Sequence, residues 1–269
     1  MQLTEQNLKG KVAIVTGGGR GIGKSIALAL ANQGATAVIA TRTASYGEAV
    51  VNTINGSGGK ASLFALNVGE RDSVRALIDD TAQRYGRIDI IVHAAATIPF
   101  GTIDTLSDDD FDTCLRSINY AAFWLTKYAT PHLSKVKADG GGRIVFISST
   151  CGPQNVLPGL SHYGMAKNGL EAFVRGAALE LGRKGITVNA INPGLIASDN
   201  MKEQLSEAQA AALVKNLPIP RVGQTEDIAN SVMFLISPAA SYITGHSLVV
   251  DGGASLMPGG DVSSMLAEH

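Results

Sequence analysis

A strand that runs straight into a glycine loop and out into a helix constrains this chain more than any other feature. Lys11-Val12-Ala13-Ile14-Val15-Thr16 is a short, almost continuous apolar run with β-branched residues, as in a strand buried on both faces. Gly17-Gly18-Gly19-Arg20-Gly21-Ile22-Gly23 follows at once, and Lys24 to Asn32 is a strong helical stretch. In that context glycines permit the turn, let the backbone approach a pyrophosphate, and set its charge before a helix N-terminus. Gly17, Gly19, Gly21, Ile22 and Gly23 are therefore candidate cofactor-binding residues. The spacing is Gly17-x-x-x-Gly21-x-Gly23 rather than G-x-G-x-x-G, and a merely flexible loop is the competing reading. Both flanks favour the phosphate site.

The alternation then repeats. Short apolar runs at Ala35–Ala40, Ala61–Leu66, Ile88–Val92, Gly142–Ser149, Gly185–Ile191 and Ser247–Val250 read as strands. Helical patterns separate them at residues 70–85, from Ser107 to about Ser134, at 161–183, and from Thr225 to about Ile236. This predicts an α/β protein: one Rossmann-fold domain over residues 1–269, a doubly wound parallel seven-stranded sheet with helices on both faces. The stripe Phe111, Leu115, Ile118, Ala122 and Leu125 on the long helix is core or a subunit interface. Residues at about 195–217 read as a mobile substrate lid, and 257–269 as a tail that frays or docks on a partner.

Composition excludes several functions. With 22 basic and 23 acidic residues, nothing suggests a nucleic-acid surface or a polybasic membrane patch. Cys114 and Cys151 are expected as free thiols of a reducing compartment. Met1 to Asn7 lacks the basic-then-apolar pattern of a secretory signal, and no apolar run approaches the roughly 18 residues of a membrane span. A soluble cytoplasmic protein is expected, with no membrane or nucleic-acid partner and no metal.

The chemistry gathers at strand ends. Tyr163 and Lys167 share a helix face, separated by roughly 6 Å along the axis. An ammonium near a phenol favours the phenolate, which lowers the tyrosine pKa and suits acid–base work. Alone, such a pair is more often surface decoration. Ser148 and Ser149 close the fifth strand, where open parallel sheets place their ligands. After the second strand, where an NAD site would usually carry Asp or Glu, stand Thr41 and Arg42, with Arg20 in the glycine loop. Two guanidinium groups there suit a 2′-phosphate, so NADP(H) is favoured over NAD(H). His93, at a strand end, reads as a structural histidine, while Ala94, Ala95 and Ala96 leave room for a ligand. Asn119 lies inside a helix, either solvent-facing or kept for a polar task.

Taken together in order, Thr16-Gly17-x-x-x-Gly21-Ile22-Gly23, Asn119, Ser149, Tyr163-x-x-x-Lys167, Asn192-Pro193-Gly194 and Asp251-Gly252-Gly253 resemble the classical short-chain dehydrogenase/reductase family. The resemblance covers residues 8–256 and is nearest the branch of 3-oxoacyl-carrier-protein reductases and glucose dehydrogenases. It implies that Tyr163 is the acid–base, that Lys167 lowers its pKa and binds the nicotinamide ribose, and that Ser149 holds the substrate oxygen. Ser149 is preferred to Ser148 or Thr150 because it lies three residues before Gly152, as the family's serine does before its glycine. Asn119 is similar to the residue that supports a water relay to the lysine. The resemblance also places Asn67, Val68, Pro193, Gly194, Ile196 and Ser198 around the cofactor, and implies a homotetramer.

Three departures stand out. His93-Ala94-Ala95-Ala96 replaces Asn-Asn-Ala-Gly, Asn67 replaces an Asp expected at the adenine, and Ser198 replaces a Thr expected at the carboxamide. Thr97, Ile98, Cys151, Gln154, Val156, His162 and Leu195, with Ser149, are the candidate substrate pocket, though His162 could equally face solvent. They suggest a mostly apolar small-molecule carbonyl or alcohol, interconverted by hydride transfer. The four-residue Tyr-to-Lys spacing speaks against enoyl reduction. The alternative is a non-catalytic NADP(H)-binding regulatory or assembly protein, which the complete Ser/Tyr/Lys set opposes.

Overall fold

The computed structural model describes residues 8–199, 201 and 206–257. Its strands are β1 (Val12–Thr16), β2 (Thr36–Thr41), β3 (Lys60–Ala65), β4 (Ile90–His93), β5 (Gly142–Ile147), β6 (Ile186–Pro193) and β7 (Ser247–Val250). They form one parallel seven-stranded sheet in the order β3-β2-β1-β4-β5-β6-β7. The order reverses between β1 and β4, and a crevice opens beyond their carboxyl ends. Thr16 sits in register with both Ala40 and His93, and His93 with Phe146, so these strands stop at nearly one level.

Alternation along each strand feeds two cores. Ile14, Ile91 and Phe146 pack on one face beneath α3 (Arg71–Tyr85), α5 (Ala121–Leu133) and α6 (Ser161–Leu181). Ala13, Val15 and Val92 point the other way, toward α1 (Gly21–Asn32), α2 (Ala44–Gly56) and the helix Thr225–Ile236. Both faces are covered, which explains the continuous apolar runs in the sequence. Cys114 and Cys151 are free and buried. Among the described residues no helix is long and apolar enough to cross a membrane.

The helix expected from Ser107 to Ser134 is not one α-helix. After α4 (Asp108–Leu115), Arg116–Tyr120 forms a π-helical turn before α5 resumes. The extra residue in that turn re-aims Asn119, whose amide donates to the Ala166 carbonyl of α6 at 2.8 Å. Asn119 is thus tied to α6 rather than turned to solvent. Its apolar stripe is core: Ile118, Ala122 and Leu125 are buried. Ser107 caps α4 by accepting from the Asp110 amide, with acidic residues in the first turn.

The region read as a lid includes α7 (Glu207–Val214), capped by Ser206 and Gln209 in a reciprocal box. It is followed by α8 (Thr225–Ile236), already placed on the second face. The remainder of the expected lid at 200 and 202–205, the Met1–Asn7 stretch and the tail from Pro258 lie outside the described residues.

Opposite the crevice, Asp89 ties β1 to β4. Its carboxylate, 1% exposed, accepts from the Val12 amide at 2.9 Å and from two Arg87 nitrogens at 2.9 and 2.6 Å. Asp89→Ala strands these donors and should cost about 3 kcal/mol of unfolding free energy, measured by urea denaturation. Because the change sits at the far end of the sheet, dinucleotide affinity of the folded variant should be unaltered.

Candidate active site

One cleft of 610 Å³ runs along the carboxyl edge of the sheet, from Arg20, Arg42 and Tyr46 at one end to Ser149 and Tyr163 at the other. Its floor begins at the glycine loop. Gly17, at φ +70°, packs on the Ala94–Ala95 backbone, where a Cβ would come within 2.8 Å of the Ala95 nitrogen. A Cβ on Gly23 would lie 2.2 Å from the Gly17 carbonyl oxygen. Only glycine permits the loop to fold back so tightly. Helix α1 therefore begins inside the cleft, and its N-cap, Arg20, makes no side-chain cap.

That helix end accepts an oxyanion already. The Asp199 carboxylate takes a hydrogen bond from the Gly21 amide at 2.9 Å. A phosphate oxygen is a chemically equivalent acceptor, so the site fits the pyrophosphate of a dinucleotide. Thr41, Arg42, Asn67 and Val68 line the same half of the cleft. Ala94, Ala95, Ala96, Pro193, Gly194, Ile196 and Ser198 line its middle. The Asn67 side chain is itself a turn element, accepting from the Gly69 amide.

At the inner end, β5 and α6 bring the catalytic candidates together. Ser149 lies two residues beyond β5 and accepts from the Cys151 amide at 3.0 Å. Tyr163 is 8% exposed and lines the cleft together with Ser149. The Lys167 ammonium donates to the Ile147 carbonyl at 2.8 Å and lies 5.4 Å from the centre of the Tyr163 ring. Burial pushes the Tyr163 pKa upward, against a lowering effect of the Ser149 hydroxyl. The lowering expected from Lys167 is not what governs the phenol: burial does, and the ammonium is turned to the strand carbonyl. Burial also lowers Lys167, to about 8.

Some candidates fall elsewhere. Asn119 stands behind α6, outside the cleft lining; its Oδ1 is buried without a protein partner. Gly19 packs beneath Thr41 and Tyr46 instead of facing the cleft. Of the substrate candidates, Thr97, Ile98, Cys151 and Leu195 line the inner half with Ser149. Gln154 does not; it accepts from the Asn192 amide at 3.2 Å. Val156 is 76% exposed, outside the lining. His162 is buried and pairs through Nε2 with the Pro99 carbonyl at 3.0 Å, so it faces neither solvent nor cleft.

Phe100, Leu157 and Leu160 supply apolar wall that the sequence left unassigned, and Tyr46 and Asp199 join at the nucleotide end. Loop residues carry no periodic signal.

His93 is structural, as its position suggested. Its Nδ1 shares a 2.7 Å hydrogen bond with the Thr16 hydroxyl, its ring stands edge-on to Phe146, and it is 2% exposed. Burial, followed by the nearby Lys167 charge, lowers its pKa to about 3.

Comparison with known proteins follows the same outline. A family model described as Enoyl-(Acyl carrier protein) reductase matches residues 17–255. The chain is 38% identical over 248 residues to a 3-oxoacyl-[acyl-carrier-protein] reductase of Pseudomonas aeruginosa, covering 92% of this chain and 98% of that one. It is 35% identical over 270 residues to versicolorin reductase 1 of Dothistroma septosporum, covering 94% and 99%. Among solved structures, a 7α-hydroxysteroid dehydrogenase in complex with NADH and 7-oxo glycochenodeoxycholic acid superposes with a TM-score of 0.86 at 34% identity, covering 92% and 95%.

The His93 environment gives a pH test. Its folded pKa of about 3 lies below the unfolded 6.5, so its stabilising contribution is complete above 6.5 and is lost as pH falls through that window. Between pH 7.5 and 5 the native chain should therefore lose about 2 kcal/mol more than His93→Gln. Urea denaturation of both proteins at the two pH values measures the difference.

Proposed function

This chain belongs to the short-chain dehydrogenase/reductase family, in the branch of the 3-oxoacyl-acyl-carrier-protein reductases, and from that premise we propose that it is an NADP(H)-dependent carbonyl reductase. The observation that carries this reading is the meeting of Ser149, Tyr163 and Lys167 at one end of a cleft whose other end holds Arg20 and Arg42.

When bound, the nicotinamide supplies the hydride that adds to the carbonyl carbon. Tyr163, kept protonated by its burial, donates its phenolic proton to the oxygen as charge develops there. The Ser149 hydroxyl, beside it, donates a second hydrogen bond to that oxygen. Lys167 holds its charge next to the phenol once the proton has left, anchored on the Ile147 carbonyl. The orphaned Asn119 Oδ1 suits a buried water behind α6, a route for returning a proton through Lys167. Alcohol oxidation would use the same residues in reverse.

Arg20 and Arg42 favour a 2′-phosphate by charge and by their forked donors. The hydroxysteroid dehydrogenase was solved with NADH, so cofactor choice has to come from this chain's own nucleotide end. A carbonyl, rather than an enoyl, substrate is supported by the four-residue spacing from Tyr163 to Lys167. The apolar wall formed by Ile98, Phe100, Leu157, Leu160 and Leu195 suits a largely apolar ketone or aldehyde.

Tyr163→Phe should leave NADPH affinity near that of the native chain while lowering kcat for carbonyl reduction about 10²- to 10⁴-fold. A panel of ketones followed by NADPH oxidation measures this; near-native turnover would refute the assignment. The same panel run with both cofactors should give a higher kcat/KM for NADPH than for NADH.

A further inference from the structure

We propose that Asn192 and Gln154 are positioning residues for the reaction: with Glu171 they form a latch that fixes the loop carrying Ser149 to the helix carrying Tyr163. This rests on the carbonyl-reductase reading above and says what sets the placement of its two hydroxyl donors.

Helix α6 carries Tyr163, Lys167 and Glu171 at four-residue intervals, so the three share one stripe. Lys167 donates to the Ile147 carbonyl at the end of β5, at 2.8 Å. One turn further along, Glu171 accepts from the side-chain amide of Asn192, near the end of the neighbouring strand β6. The same amide nitrogen donates to Gln154 Oε1 at 3.2 Å. An asparagine amide has two hydrogens, and here each has its own acceptor, one on α6 and one in the loop between β5 and α6. Asn192 is 0% exposed, so losing either acceptor strands a buried donor.

The loop is built to pass this restraint to Ser149. The Ser148 amide donates to the Ile191 carbonyl at 2.7 Å and the Thr150 amide to the Pro193 carbonyl at 3.0 Å, so the start of the loop runs along the end of β6. The Gln154 amide then turns back onto the Thr150 carbonyl at 3.0 Å. Gln154 therefore holds the residue after Ser149 with its main chain and Asn192 with its side chain. Asn192 is held in turn by Glu171, two turns along α6 from Tyr163.

The consequence is one of geometry. Ser149 and Tyr163 have to meet a single developing oxygen, and a misplacement of about 1 Å can cost about 10²-fold in rate. Ser149 lies beyond the last residue of β5, and the latch makes its loop and α6 one support. A purely structural role for Asn192, joining β6 to α6, would make no use of Gln154.

Single-turnover NADPH oxidation at saturating ketone, with NADPH affinity measured by isothermal titration, tests this on the full chain. Gln154→Ala, at an exposed position, should slow that step about 2- to 10-fold, the range of one neutral hydrogen bond, and leave NADPH affinity within about 2-fold. Glu171→Leu should slow it as well, and Glu171→Gln, which keeps an acceptor for the Asn192 amide, should restore most of the native rate. Because the latch acts through Ser149, adding Gln154→Ala to Ser149→Ala should slow the step no further. An unchanged rate in Gln154→Ala or Glu171→Leu, a matching loss of NADPH affinity in Gln154→Ala, no recovery in Glu171→Gln, or the same slowing by Gln154→Ala with and without the Ser149 hydroxyl would each overturn the inference and leave the reductase reading in place. A native chain that reduces no ketone or aldehyde of the panel would overturn that reading, and the latch with it.

Discussion

A buried ammonium can remain in place only if something accepts its hydrogens, and the site is built around how this chain meets that demand for Lys167. The side chain is 3% exposed and donates to the Ile147 carbonyl, the last residue of β5. A carbonyl within the sheet already serves the ladder; one at the strand end has a lone pair to spare. Lys167, the seventh residue of α6, thus couples the second turn of that helix to the end of β5, and Ser149 lies two residues further on. Burial is costly to the ammonium and lowers its pKa to about 8.

The second support comes from behind. The π-helical turn at Arg116–Tyr120 spends an extra residue and so breaks the regular ladder, a local disadvantage that needs a return elsewhere. The return is the Asn119 amide on the Ala166 carbonyl, immediately before Lys167 in the chain. Helix α6 is therefore held from β5 on one side and from the interrupted helix on the other. His93 completes this layer by joining β4 to Thr16 of β1 through its hydrogen bond, in the position where an amide would be expected. An imidazole can do so because burial keeps it neutral, leaving one ring nitrogen free to accept or donate toward the threonine.

What could be read from the sequence follows the same physics. Strands buried on both faces leave continuous apolar runs, and the ends of β1, β2, β4 and β5 were legible because glycine, arginine, histidine and serine interrupt those runs. Tyr163 and Lys167 were legible because helical spacing places them on one face. The π turn was not, since Arg116–Tyr120 has the composition of ordinary helix and the irregularity depends on what Asn119 meets in space. The placing of His162, Gln154 and Val156 in the substrate pocket failed for a related reason. The loop between β5 and α6 sends Gln154 to Asn192 and leaves Val156 exposed, and which side chains of a loop face inward follows from its path and from no period; His162, the second residue of α6, is turned to the Pro99 carbonyl.

The direction of the pKa shifts bears on how Tyr163 can work. Spacing alone suggested a phenol drawn toward its anion by a neighbouring cation. In the folded chain desolvation acts on both groups, raising the phenol and lowering the ammonium, so each is pushed toward its neutral form. A phenol in that setting is a proton donor at neutral pH. The same burial makes the phenolate expensive until something offsets it, and the only cation beside the Tyr163 ring among the described residues is Lys167. The lysine is thereby assigned to the moment after proton transfer rather than before it. Its grip on the Ile147 carbonyl, which holds it close without neutralising it, is what that timing requires.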